Sequence, residues 1–117
     1  MKVVAGIHEK DGKLLMFYSS KHKMWEFPGG KVEEGETDVD ALKRERKEEL
    51  NCEIIVDKYF DYHYSDLDGW EMTYYLVTPI TDWTLKEHTD FRYYTPNEAL
   101  EIDTWIGDWI MIGEFYE

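Results

Sequence analysis

The sequence predicts an α/β domain, a mixed sheet with helices packed on its two faces. Short β-branched and aromatic runs, one strongly helical stretch and a helical C-terminal region follow one another without strict strand–helix alternation. Hydrophobic residues make up 43% and aromatics 16% of 117 residues, enough large apolar surface for a core despite 33% charged residues. No Gly/Ser linker, repeat or low-complexity tract divides the chain, so residues 1–117 are expected to form a single domain.

Val3 to Glu9 and Leu14 to Tyr18 read as strands joined by Asp11-Gly12, a good hairpin turn. Trp25-Glu26-Phe27 is a short extended piece running into Pro28-Gly29-Gly30, where backbone freedom is expected to replace side chains. From Thr37 or Asp38 to Leu50 the residues are strong helix formers, with Thr37 as N-cap. Glu53 to Tyr64 and Glu71 to Thr78 are strand-like, with Asp66 to Gly69 as the hairpin loop between them. Phe91 to Tyr94 is one more strand. Thr95-Pro96 opens a final helical region in which Trp105, Ile106, Trp109, Ile110 and Gly113 share one face.

Twenty-six acidic against 13 basic side chains give a net charge of −13. Such a charge repels a phosphate backbone, which argues against binding a nucleic-acid polymer. A small phosphorylated substrate fits only if cations bridge it to the protein. The longest apolar run, Leu14 to Tyr18, falls far short of the roughly 20 residues of a membrane helix. Met1-Lys2 leads straight into a strand-like run, so neither a leader peptide nor membrane association is expected. Cys52 is the only cysteine, which excludes an internal disulfide and fits a cytoplasmic setting.

The helix concentrates charge. At about 100° per residue, Glu48 and Glu49 fall roughly 60° and 40° to either side of Glu45. Val39, Leu42 and Leu50 form the adjoining core stripe. On these residues alone a solvated acidic face is the plainer reading. Clustered carboxylates also suit hard divalent cations, which is the other.

The flanking residues decide between them. Gly30-x5-Glu36-x7-Arg44-Glu45-x2-Glu48-Glu49-x-Asn51-Cys52 strongly resembles the Nudix box, the signature of hydrolases acting on nucleoside diphosphates linked to another group. The resemblance covers residues 30–52 and implies an α/β/α sandwich with a mixed sheet between helices. It implies that Glu45, Glu48, Glu49 and the Gly30 carbonyl hold Mg²⁺ or Mn²⁺, which activates water and neutralises phosphate. Arg44 would pin Glu45, Gly29 would serve the turn, and Glu36 would orient the loop–helix junction. Glu45 is the favoured general base, with Glu49 and Glu87 as alternatives. Glu87 stands where many relatives carry a further metal-binding or catalytic glutamate; a lone His88 beside it has only a weak claim on phosphate. One cysteine and no HExxH pattern argue against zinc.

Two positions depart from the family pattern. Arg46 replaces the usual aliphatic residue, near 100° in the middle of the stripe, where its stem would pack while the guanidinium reaches a carboxylate or solvent. Asn51 replaces the usual glycine, a mild change at a left-handed cap.

Trp25 to Glu33 is similar to MutT-like enzymes, which convert a (d)NTP to the monophosphate and pyrophosphate. The likeness makes Phe27 and Lys31 substrate-binding candidates, with a core role equally open for Phe27. Asp103 aligns with a base-edge position, and a helix N-cap is its alternative role. Features of ADP-ribose, dinucleoside-polyphosphate and coenzyme A hydrolases are missing at Asp66 to Gly69 and ahead of the box. Tyr18-Ser19-Ser20 lacks the arginine of many MutT proteins, which weakens 8-oxo-dGTP and leaves room for a cytidine nucleotide. The expected partner is a small nucleotide, bound by a monomer or homodimer. The alternatives are a nucleotide-sugar hydrolase, a non-catalytic nucleotide sensor and an interaction domain with a chance motif.

Overall fold

The structure, a computed structural model, describes residues 1–116. Its first hairpin uses the predicted turn, with Asp11 at φ 53° and Gly12 at φ 77°, both left-handed as a two-residue hairpin requires. The expected strand from Val3 to Glu9 is broken at His8. Its first part, β1 (Lys2–Ile7), lies in one sheet, and β2 (Glu9–Lys10) pairs with β3 (Lys13–Ser19) in another.

Two sheets therefore replace the one expected. β3 also pairs antiparallel with β4 (Met24–Glu26) and β8 (His88–Tyr94). The mixed sheet has the order β5–β1–β7–β6, with β5 at Gly29–Lys31, β6 at Ile54–Tyr64 and β7 at Glu71–Pro79. Within that sheet β1 and β7 run parallel, while β5 with β1 and β6 with β7 are antiparallel. β6 and β7 form the predicted hairpin.

Strand periodicity builds the layers. Val4, Leu15 and Phe17 pack against Ala41, Leu42 and Leu50 of α1 (Asp38–Leu50). Their neighbours Ala5, Ile7, Leu14 and Met16 point the other way, toward Ala99 of α2 (Pro96–Ala99) and Met111 and Ile112 of α3 (Ile106–Tyr116). Central strands buried on both faces place helices on both sides, and the α/β/α class holds.

Local chemistry sets the helix ends. The Thr37 hydroxyl accepts from the Asp40 N–H at 3.1 Å, and Asn51 closes α1 with φ 49°. Thr95 and Glu98 form a reciprocal capping box on α2. The predicted C-terminal helical region is two helices, with residues 100–105 between them.

Trp105, Ile106, Trp109 and Ile110 are exposed, while Asp108, Met111 and Ile112 are buried. Both faces of α3 carry apolar residues, so spacing alone does not choose the buried one. Val39 also lies at the edge of its stripe, 37% exposed. No helix among the described residues is long and apolar enough to cross a membrane.

Candidate active site

Gly29 and Gly30 lie in β5 and neither has a positive φ. Their lack of a side chain matters for close approach, a correction to the backbone freedom expected of them. A Cβ on Gly29 would overlap the Val4 carbonyl, whereas one on Gly30 would overlap the Glu45 carboxyl group. The two glycines thus serve different ends. Gly29→Ala is expected to cost about 1–3 kcal/mol through backbone displacement, read as a fall in melting temperature. Gly30→Ala should displace a side chain instead, lowering turnover at least about tenfold with a smaller stability loss. Equal effects of the two variants on stability would contradict this division.

Arg44 organises the exposed side of the acidic face. Its Nε and Nη2 donate to the two oxygens of Glu36 at 2.7 and 3.0 Å, and Nη2 also donates to the Lys31 carbonyl at 3.0 Å. Nη1 donates to Glu45 at 2.9 Å and to Glu48 at 3.3 Å. Glu36 further accepts from the Glu33 N–H, tying the loop to the helix. The Arg44 fork, helped by that N–H, holds the Glu36 carboxyl down at about 2.

The buried side of the face behaves differently. Glu49 is only 12% exposed, against 61% for Glu48. Burial pushes its carboxyl up to about 9, and a hydrogen bond to Glu45 with the charges of Glu45, Glu26 and Glu87 adds to the rise. Several carboxylates converging on one spot are unstable together without positive charge. A divalent cation supplies that charge, so this oxygen-rich donor set fits one.

Glu26, Glu49 and His88 bring one ligand atom each within 4.8 Å of one another. Spacing in the sequence missed Glu26 and gave His88 little weight. The shared signal, an acid and a histidine in short strands that later pair with β3, is legible only with the strand register known.

A cavity of about 380 Å³ opens beside this cluster, with Glu26, Gly29 and Gly30 in its wall. Phe27, Met72, Trp70 and Trp105 supply apolar surface. Phe27 is buried in the core and also lines the cavity. The Lys31 ammonium lies 5.9 Å from the Trp70 ring centre.

Asp108 stands at the back of the cavity. Its oxygens accept from the Tyr74 hydroxyl at 2.6 Å and the Phe27 N–H at 3.1 Å. Burial raises its carboxyl to about 7, and those two hydrogen bonds oppose the rise. Asp103 is exposed and outside the cavity lining, and its carbonyl accepts from Trp25. Since α3 begins at Ile106, Asp103 is not the helix cap either. The signal for Asp108 was present in the sequence, because it shares a stripe with Met111, Ile112 and Phe115 at helical spacing.

Arg46 lies inside the core at 2% exposure, and its Nη2 reaches the Gly6 carbonyl at 3.4 Å. Among the described residues no carboxylate forms an ion pair with it, although the nearby charge of Glu49 favours its charged form. Gly6 leaves the room, since a Cβ there would come 2.9 Å from the guanidinium.

The chain matches the NUDIX domain family over residues 2–115. It is 37% identical over 109 residues to the CTP pyrophosphohydrolase of Escherichia coli, covering 86% of this chain and 80% of that protein. It is 35% identical over 83 residues to an 8-oxo-dGTP diphosphatase of Buchnera aphidicola subsp. Schizaphis graminum, covering 65% and 62%. The solution structure of the E. coli ORF135 protein superimposes with a TM-score of 0.86 at 33% identity, covering 98% of this chain and 87% of that one.

Proposed function

The chain belongs to the NUDIX family of hydrolases, and from that premise we propose that it is a Mg²⁺-dependent nucleoside triphosphate pyrophosphohydrolase reading an amino-bearing base. One observation carries the base preference. A buried carboxylate, Asp108, lines a cavity of base size whose wall includes Gly30, next to the acidic face.

Glu45, Glu48, Glu49 and the Gly30 carbonyl would hold the cation, Mg²⁺ or Mn²⁺, with Glu87 at the margin. When bound, the cation neutralises phosphate oxygens and lowers the pKa of an attacking water. The chain's own residues do the rest. Arg44 holds Glu45 close to Gly30, and in this reading Glu45 would take the proton from water, with Glu49 and Glu87 as alternatives. Lys31 follows the cavity-lining Gly30 and has its ammonium 5.9 Å from the Trp70 ring centre, and its charge would suit the phosphates. Hydrolysis in this reading gives the monophosphate and pyrophosphate. A free buried Cys52 suits a cytoplasmic protein.

An ionised Asp108 accepts hydrogen bonds, so it favours bases that donate from an amino group. Cytosine and guanine offer such donors, while thymine and uracil offer only an imide N–H. The E. coli relative named for CTP and the Buchnera relative named for 8-oxo-dGTP both act on amino-bearing bases, which supports the preference. The test is kcat/KM with Mg²⁺ across dCTP, dGTP, dTTP, CTP, UTP and 8-oxo-dGTP. Cytidine or guanine nucleotides should lead, and Asp108→Asn should reorder the ranking. An unchanged ranking would leave Asp108 a purely structural residue.

The same variant has a stability signature. The Asp108 carboxyl titrates near 7 when folded and far lower in an unfolded chain. Above the unfolded value the unfolded form gains by ionising, so this residue's contribution weakens from about pH 4 to about pH 7. Asp108→Asn should therefore raise the melting temperature more at pH 8 than at pH 5. An equal change at both pH values would contradict the raised Asp108 carboxyl.

A further inference from the structure

We infer that His88 is a nitrogen ligand to a divalent cation shared with Glu49, so that the site accepts Mn²⁺ and other borderline transition ions in preference to Mg²⁺. The inference rests on the reading of the α1 carboxylates as cation ligands and extends it to a residue from the opposite sheet.

The geometry begins at Glu26. One of its oxygens accepts from the Trp105 indole N–H at 3.2 Å, and the other lies 3.0 Å from His88 Nε2. A carboxylate only accepts, so Nε2 is the nitrogen that donates to it. In the neutral ring the lone pair is then on Nδ1, which is buried, without a hydrogen-bond partner among the described residues, and 3.9 Å from Glu49 Oε2.

The imidazole as a whole is 3% exposed and lies against the Phe17 ring at 5.6 Å, which keeps water from it. Two electron-rich atoms face each other across this gap. Metal–ligand bonds of about 2.1 Å can span up to about 4.2 Å through one ion, so the separation suits a bridging cation. A carboxylate holding the far nitrogen of a ligating histidine is the arrangement that fixes the ring and raises its basicity. Imidazole nitrogen favours transition ions, whereas an all-oxygen shell favours Mg²⁺.

The probe is Mn²⁺ alone, added to the full chain and followed by electron spin echo modulation. Unlabelled protein should show ¹⁴N coupling of a directly bound imidazole, and ¹⁵N-histidine labelling should replace it. His88→Gln should lose the nitrogen signal, still bind Mn²⁺ through the carboxylates, and show its Mn²⁺-over-Mg²⁺ preference reduced about tenfold.

A variant lacking His8, His22 and His63 should keep the signal, and it decides the matter if His88→Gln does not fold. Bound Mn²⁺ without nitrogen coupling, or coupling that depends on those other histidines, overturns the inference and leaves the carboxylate site standing. Absence of Mn²⁺ binding overturns both.

Discussion

Glu49→Gln is expected to lower Mg²⁺-dependent turnover on the order of a hundredfold or more while the metal-free protein becomes more stable. The two effects share one cause. Glu49 is the most enclosed carboxylate of the acidic face, and burial with its neighbours Glu45, Glu26 and Glu87 raises its carboxyl to about 9.

In the unfolded chain the same group ionises near the ordinary glutamate value. Folding is thus opposed increasingly as pH rises from about 4.5 toward 9, and a neutral amide removes that dependence. Turnover, and melting in a chelating buffer at pH 5 and pH 8, check the two halves. Near-normal turnover would remove Glu49 from the chemistry, and a stability gain independent of pH would remove the electrostatic explanation.

Arg46→Leu is expected to stabilise the fold by about 1–3 kcal/mol, read as a melting temperature several degrees higher. The guanidinium is fully buried, its Nε has no hydrogen-bond partner among the described residues, and its hydrogen bond to the Gly6 carbonyl is long at 3.4 Å. Burial lowers its pKa to about 10, a sign that the environment disfavours the charge. An apolar side chain at this buried position avoids that cost. Arg46→Met, which preserves the unbranched stem, controls for the volume that leucine leaves empty. A lower melting temperature in both variants would show that the guanidinium stabilises the core.

How much was legible from the residues follows from where each signal resides. Helix α1 was readable to its ends because Thr37, the helix formers and Asn51 all act locally. The carboxylates and Arg44 were readable because they sit on that one helix. Arg46 was placed in the core stripe by periodicity, but its partner was not, since Gly6 comes from strand β1, far from the helix in sequence.

The break at His8 was hidden for a similar reason. A strand that changes sheets keeps its alternation, and only pairing partners reveal the change. His88 and Glu26 meet through the pairing of β8 and β4 with β3, beyond what spacing conveys. Asp108 is the instructive miss. A carboxylate within an apolar stripe was visible in the sequence, yet Asp103 drew attention by alignment while the exposed tryptophans masked which face of α3 was buried.

In the proposed reaction an acidic face, acting through a divalent cation, cleaves a nucleoside triphosphate to monophosphate and pyrophosphate. Phosphorus NMR of dCTP incubated with the full chain and Mg²⁺ distinguishes the products. dCMP and pyrophosphate should form in equal amounts, dependent on Mg²⁺ and lost in Glu49→Gln. Formation of dCDP with inorganic phosphate, or hydrolysis that persists undiminished in the presence of a chelator, would contradict it.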